Sequence, residues 1–275
     1  DEPPSHHRNL HHRSGPLHHG DGDCLVRPGA DGLQHARVAK RRDVAAFLQL
    51  GNKLRLCDVI VIEQGIRTRI FGGGSFELFM TTKGYTVHGN DLFVPLYTFW
   101  TTKQSNCDTL ATTIKEHMPM TKDKFRTMRE SILQEKDSMK VATSYFIINR
   151  TSFSGATLCG GYSQQAAEGR LTESSIEKLK ACDLSAITFT NLDCNVFLTQ
   201  HPETTDTLVY ADPPYYIDTY IYGKNGDMHE NFNHAAFANT IKKRSDWIVS
   251  YNDCEYIREL YKDCRIFEAK WSYGM

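Results

Sequence analysis

The segment Thr207-Leu-Val-Tyr-Ala-Asp-Pro-Pro-Tyr-Tyr216 leaves the chain few choices. Residues 207 to 211 read as an apolar strand, and Pro213 and Pro214, which lack an N–H and fix φ near −65°, force it to stop and turn at Asp212. The result is a rigid corner. It offers the Asp212 carboxylate and the Pro213 carbonyl as two adjacent acceptors, with the aromatic face of Tyr215 beside them. Paired acceptors next to a stacking surface suit a flat base whose exocyclic NH2 presents two hydrogens. A plain Pro-Pro turn explains the prolines but neither the Asp before them nor the Tyr after them.

The texture around this corner is that of an alternating α/β protein from Phe47 onward. Residues 54 to 62 read as a short helix stopped at Gly65, and 67 to 71 as a strand running into Gly72-Gly73-Gly74. A helix over 76 to 83 and a strand over 85 to 88, delivering Asn90-Asp91, complete a β-α-β unit. Between about 101 and 184 the pattern turns helical, with charged amphipathic stretches at 108 to 117 and 121 to 140 and a Gly/Ser-rich loop at 151 to 169. Strands follow near 186 to 190 and 207 to 211, then a helix at 233 to 243, a strand at 246 to 251, a helix at 254 to 261 and a strand at 264 to 270. The expected architecture is therefore α/β: a Rossmann-like sheet carried by 47–100 and 185–275, split by a mainly helical insert at 101–184.

Residues 1 to 46 stand apart, holding seven of the twelve histidines and almost no apolar periodicity. Such a segment buries too little to offset its ordering entropy, so a disordered or non-native tail is expected. The pairs His6-His7, His11-His12 and His18-His19 lack accompanying Cys or carboxylate ligands at metal-site spacing, and no metal is expected. Eight cysteines are scattered without a C-x-x-C pair, which reads as reduced thiols. No run of 18 apolar residues and no secretory leader is visible, so a soluble intracellular protein is expected, away from membranes. A net charge of −1 does not by itself announce a nucleic-acid partner. Any such partner must be argued from motifs.

The Gly72-Gly74 turn followed by Asp91, 17 residues after Gly74, meets the physical requirement for holding a nucleoside-bearing cofactor. Glycines let the backbone approach the ligand, and a carboxylate at the next strand end accepts from ribose hydroxyls. Taken alone, a glycine-rich turn is as readily just a turn.

With these residues in view, the chain resembles the Dam-like DNA adenine-N6 methyltransferases. Asp212-Pro213-Pro214-Tyr215 looks like their DPPY motif. Phe47-Leu-Gln-Leu-Gly-Asn-Lys53 resembles their N-terminal cofactor motif, and Asn149-Arg-Thr-Ser-Phe-Ser-Gly155 with Gly160-Gly161-Tyr162-Ser163 their target-recognition loop. Trp247-Ile-Val-Ser-Tyr-Asn-Asp253 and Tyr261 look like their later strand and helix.

The resemblance implies methyl transfer from S-adenosyl-L-methionine to adenine N6 in a specific short sequence of double-stranded DNA. A cognate restriction endonuclease is a possible partner. Catalysis falls to Asp212, Pro213, Pro214 and Tyr215. Gln49, Lys53, Phe71, Gly72, Gly74, Asp91, Phe189 and Asp212 are implied to bind the cofactor, although Phe189 is equally compatible with plain core. Asn149, Arg150, Thr151, Ser154 and Gly155 are implied to face DNA, with a structural salt bridge the alternative for Arg150. Thr68, Arg69 and Gln49 depart from the family pattern, which keeps an inactive DNA-binding relic in play. Cytosine N4 or RNA adenine would also fit such a corner.

Overall fold

The computed structural model describes residues 23–27, 58–62, 75–204, 206–216 and 232–269. Seven strands occur among them: β1 (Asp23–Arg27), β2 (Asp58–Ile62), β3 (Val87–Asn90), β4 (Ile187–Thr190), β5 (Val209–Asp212), β6 (Trp247–Asn252) and β7 (Arg265–Ala269). They form one mixed sheet in the order β4-β3-β2-β5-β6-β1-β7. The pairs β3/β4 and β5/β6 are parallel, while β2 runs antiparallel between β3 and β5 and β1 antiparallel between β6 and β7.

Two expectations are corrected here. The run containing Asp-Val-Ile-Val-Ile at 58–62 is a strand, not the end of a helix. Four consecutive β-branched residues favour the pleated backbone, and the run pairs with β3 along one edge and β5 along the other; its sequence lacks the apolar/polar alternation that would have marked it as a strand. The expected tail also holds a sheet strand: β1 pairs with both β6 and β7, and Val26 is fully buried. Cys24-Leu-Val-Arg27 was too short an apolar run to stand out from its His-rich surroundings. The strand expected at 67–71 lies outside the described residues.

The helix α1 (Ser75–Thr82) leads into β3. A helical block then separates β3 from its parallel neighbour β4: α2 (Val94–Glu116), α3 (Lys122–Ser131), α4 (Ser138–Thr151), α5 (Gln164–Arg170) and α6 (Glu173–Ala181). The block opens at Val94, earlier than residue 101, because Pro95 fits the first turn of a helix. The amphipathic stretch expected over 121–140 breaks into two helices. Asp137 caps the second by accepting from the Lys140 N–H, as Thr121 caps the first through Lys124. Within the Gly/Ser-rich stretch, Ser163 caps the short helix α5.

Two apolar clusters result. One fills the helical block and reaches the sheet through Val87, Ile187 and Phe189. The other packs α7 (Cys194–Gln200), α8 (His234–Ile241) and α9 (Glu255–Leu260) with β1, β5 and β6. Alternation sorts β5 and β6: Val209, Ala211, Trp247, Val249 and Tyr251 join this second core. Tyr210, Asp212, Ser250 and Asn252 therefore lie on the opposite face.

Candidate active site

Strand register brings the acidic residues to one level. Val59 pairs with Asn90 on one side and with Ala211 on the other, and Asp58 pairs with Asp212. Asp91 lies one step beyond Asn90, where its N–H still bonds Thr190 O at 3.2 Å. Asp91 and Asp212 thus occupy the same row at the carboxyl ends of β3 and β5, two strand spacings or roughly 10 Å apart. Ligands of open α/β sheets bind outside such strand ends.

Each side of this row is tied down by polar side chains. Asn90 Oδ1 accepts from Thr190 Oγ1 at 2.9 Å and from Leu192 N at 2.8 Å, and its Nδ2 donates to Leu192 O at 2.8 Å. Asn191 Nδ2 donates to Asp91 O at 2.6 Å, locking the ends of β3 and β4 together. Asp91 is 1% exposed, and its Oδ1 accepts from Phe93 N at 2.6 Å, which starts α2. Phe189 packs as a core residue, its ring stacked 6.3 Å from Trp100.

On the other side, Asp212 is buried and its Oδ1 accepts a hydrogen bond from Ser250 Oγ. Ser250 Oγ in turn accepts from Tyr210 Oη at 3.0 Å. Pro213 and Pro214 are buried, Tyr215 half-buried and Tyr216 exposed. Asn252 grips the main chain of Tyr216 twice, accepting from its N–H at 2.8 Å and donating to its carbonyl at 2.8 Å. The Tyr216 ring stacks on Tyr256 at 4.3 Å, with the His234 edge at 5.4 Å. His234 Nδ1 lies 3.0 Å from Tyr251 Oη.

The segment expected to face DNA sits at the end of α4. Asn149 Nδ2 donates to Gly155 O at 3.3 Å, and Ser152 Oγ accepts from Thr157 N at 3.1 Å. Phe153 N donates to Gly161 O at 2.8 Å, and Arg170 donates to Ser152 O. Ser154, Gly155 and Thr157 take φ of 51°, 71° and 48°, which turns the loop outward and leaves Phe153 69% exposed. Thr151 does not join it. Its side chain is fully buried and bonded to Ile147 O at 2.7 Å, because as the last residue of α4 it points into the block. The Arg150 guanidinium lies over the Phe146 ring at 5.3 Å. Burial and the neighbouring Arg170 both push its pKa down. Among the described residues it has no ion-pair partner, so the salt-bridge alternative finds no support there.

Gln49, Lys53, Thr68, Arg69, Phe71, Gly72 and Gly74 lie outside the described residues. The sequence reading missed Tyr210, Ser250 and Asn252. Part of the signal was present: Tyr210 stands two residues before Asp212 on a strand that had been recognised, so period-two alternation puts it on the same face, whereas the face taken by Ser250 and Asn252 is set by the pairing of β6 with β5.

With this geometry in place, comparison gives the family. The model of the D12 class N6 adenine-specific DNA methyltransferases matches residues 51–275, and the chain belongs to that family. It is an enzyme class that methylates adenine N6 in DNA, generally with S-adenosylmethionine as donor. Restriction-modification is a typical setting for it. Among curated proteins none matches the chain. No described helix is long and apolar enough to cross a membrane.

Proposed function

We propose that this chain binds S-adenosylmethionine at the carboxyl ends of β3 and β5 and methylates adenine N6 within one short sequence of duplex DNA. The observation that carries the reading is the shared row of Asp91 and Asp212, flanked by the Pro-Pro-Tyr corner. The donor set fits the cofactor: Asp91 offers a carboxylate to ribose hydroxyls, and Asp212 lies close enough to serve cofactor and base together. Lys53, Phe71, Gly72, Gly74 and Gln49 join this pocket on the strength of their motifs. When bound, the cofactor supplies a methyl group on an electrophilic sulfonium.

The chain's own residues do the rest. The target adenine leaves the duplex stack and lies against Tyr215, a small expense for a base-modifying enzyme set against access to the amine. Asp212 and the Pro213 carbonyl accept the two N6 hydrogens. The N6 lone pair, ordinarily delocalised into the ring, is thereby directed out of the ring plane toward the donor methyl. Buried acceptors fixed in advance stabilise the positive charge that develops on N6, so alignment and electrostatics suffice without a covalent enzyme intermediate.

In this reading the sheet is a Rossmann-like methyltransferase sheet and the helical block a target-recognition insert. Asn149, Arg150, Ser154 and Gly155 face DNA from it. Arg150 and the neighbouring Arg170 form no ion pair among the described residues and suit an anionic partner such as phosphate. A cognate endonuclease would share the recognised sequence. The test is transfer of labelled methyl to unmethylated genomic duplex DNA, with chromatography of the nucleosides. N6-methyladenine confined to one sequence context is expected. N4-methylcytosine, or equal labelling of RNA, would overturn the choice of substrate.

A further inference from the structure

We propose that strand β6 is the jig for the reacting corner, with Ser250 and Asn252 as positioning residues that hold its two ends. The proposal rests on the reading of Asp212–Tyr215 as the corner that grips the base. Ser250 and Asn252 are two residues apart on one strand, hence on one face, the face that Asp212 shares. Neither touches the base in this scheme.

Ser250 acts at the near end. Tyr210 Oη donates to Ser250 Oγ, so the serine's single hydrogen is left to point at Asp212 Oδ1. All three side chains are buried, at 3%, 5% and 5% exposure, where a hydrogen-bond chain is polarised in one direction and loses little to water. A donor fixed on Oδ1 stops rotation about the Cβ–Cγ bond of Asp212. Both carboxylate oxygens then keep their aim before the base arrives.

Asn252 acts at the far end. β5 and β6 pair through main chain only as far as Ala211 and Val249, and Pro213 and Pro214 have no N–H with which to extend the ladder. The Asn252 carboxamide substitutes for that ladder, accepting from and donating to the main chain of Tyr216. Tyr215 is thus held between a fixed carboxylate and a fixed peptide. Stacking of Tyr216 on Tyr256 closes the same point from the helix α9 side.

The experiment measures single-turnover methyl transfer by the full chain to unmethylated genomic duplex DNA, together with DNA and cofactor affinities. Ser250→Ala is expected to lower the rate constant about 10- to 100-fold, the range for a lost hydrogen bond to a charged group, with both affinities within about three-fold of the parent. Ser250→Thr, which restores a hydroxyl on a β-branched residue suited to a strand, should recover most of the rate. Asn252→Asp keeps the acceptor but not the donor and should cost about 3- to 10-fold in rate. Where Ser250→Ala does not fold, Ser250→Cys, close in shape with a weaker donor, must still slow transfer. An unchanged rate in Ser250→Ala alongside an inactive Asp212→Ala overturns the positioning role and leaves the corner reading intact. An active Asp212→Ala overturns both.

Discussion

The corner at Asp212 and the loop after α4 are both turns that follow a regular element, yet they are held in opposite ways. The corner is fixed by other strands: Ser250 and Asn252 reach across from β6, and β1 packs on the far side of β6. The loop is fixed mostly by bonds between its own residues 149 to 163, with outside help from Arg170, from Arg129 on α3, which donates to Leu158 O, and from Met120 O, which accepts from Tyr162 Oη; it has two non-glycine residues at positive φ and an exposed Phe153. A group that must meet developing charge benefits from being rigid beforehand, whereas a surface that must fit a duplex tolerates adjustment. Substitutions at the corner should therefore change rate, and substitutions in the loop should change affinity or sequence preference.

The largest effect is expected at Asp212. Asp212→Ala should lower methyl transfer about 100- to 1,000-fold, by analogy with loss of one preorganised donor from an oxyanion site, while circular dichroism shows a folded protein. Tyr215→Ala should also slow transfer, but Tyr215→Phe should stay near the parent, since the proposed role is a stacking face. Rapid formation of N6-methyladenine by Asp212→Ala would break the comparison at its rigid end.

Next comes β1. Residues 1–46 were expected to be a disordered or non-native tail, but removal through Arg27 takes away Val26, whose burial is worth about 1.5 to 3 kcal/mol, and leaves β6 without one neighbour. The melting temperature should fall by roughly 3 to 12 °C, with a loss of rate, because β6 carries Ser250 and Asn252. Removal of residues 1–22 alone serves as the reference. Equal melting temperatures for the two truncations would show that β1 does not support the corner.

How much of this was legible in the sequence depends on the range of each signal. The Pro-Pro stop, the Asn90-Asp91 strand end and the helical block rest on local chemistry, and each was readable from residues a few positions apart. Pairing was not. Nothing local in Asp23–Arg27 says that it inserts between β6 and β7, and nothing in Asp58–Ile62 says that both its edges are covered. The burial of Thr151 was hidden for a related reason, since it shares a motif with residues whose direction differs by a fraction of a helical turn.

A double dissociation sharpens the comparison further. Asp91→Ala should weaken cofactor binding by about 1.5 to 3 kcal/mol, the range for hydrogen bonds to a charged acceptor, and leave DNA affinity near the parent value. Arg150→Ala should do the reverse, by about 1 to 3 kcal/mol. A base contact would relax sequence preference, whereas a phosphate contact would lower affinity evenly across sequences and reduce its salt dependence. Titration calorimetry for the cofactor and filter binding for DNA at two salt concentrations separate the cases. Loss of cofactor affinity in Arg150→Ala would mean that the helical block reaches the cofactor pocket.

The smallest effects belong to the loop backbone, and there the two ends of one turn should respond differently. Gly155 has φ of 71°, and a Cβ added there would meet the Arg170 guanidinium at 3.1 Å. Gly155→Ala should therefore lower stability by about 1 to 2 kcal/mol, the usual expense of a left-handed conformation for an L residue. Thr157 already bears that strain at φ of 48° with a β-branched side chain, so Thr157→Gly relieves it. The relief is partly offset by the roughly 0.5 to 1 kcal/mol that glycine's greater freedom in the unfolded chain takes back. The net expected change is neutral to slightly stabilising, read as a melting temperature equal to or just above the parent. Both variants should leave the single-turnover rate at saturating DNA unchanged, because the corner does not depend on this loop. A drop in that rate equal to the drop seen for Ser250→Ala would erase the distinction between a region fixed by the sheet and a region fixed by itself.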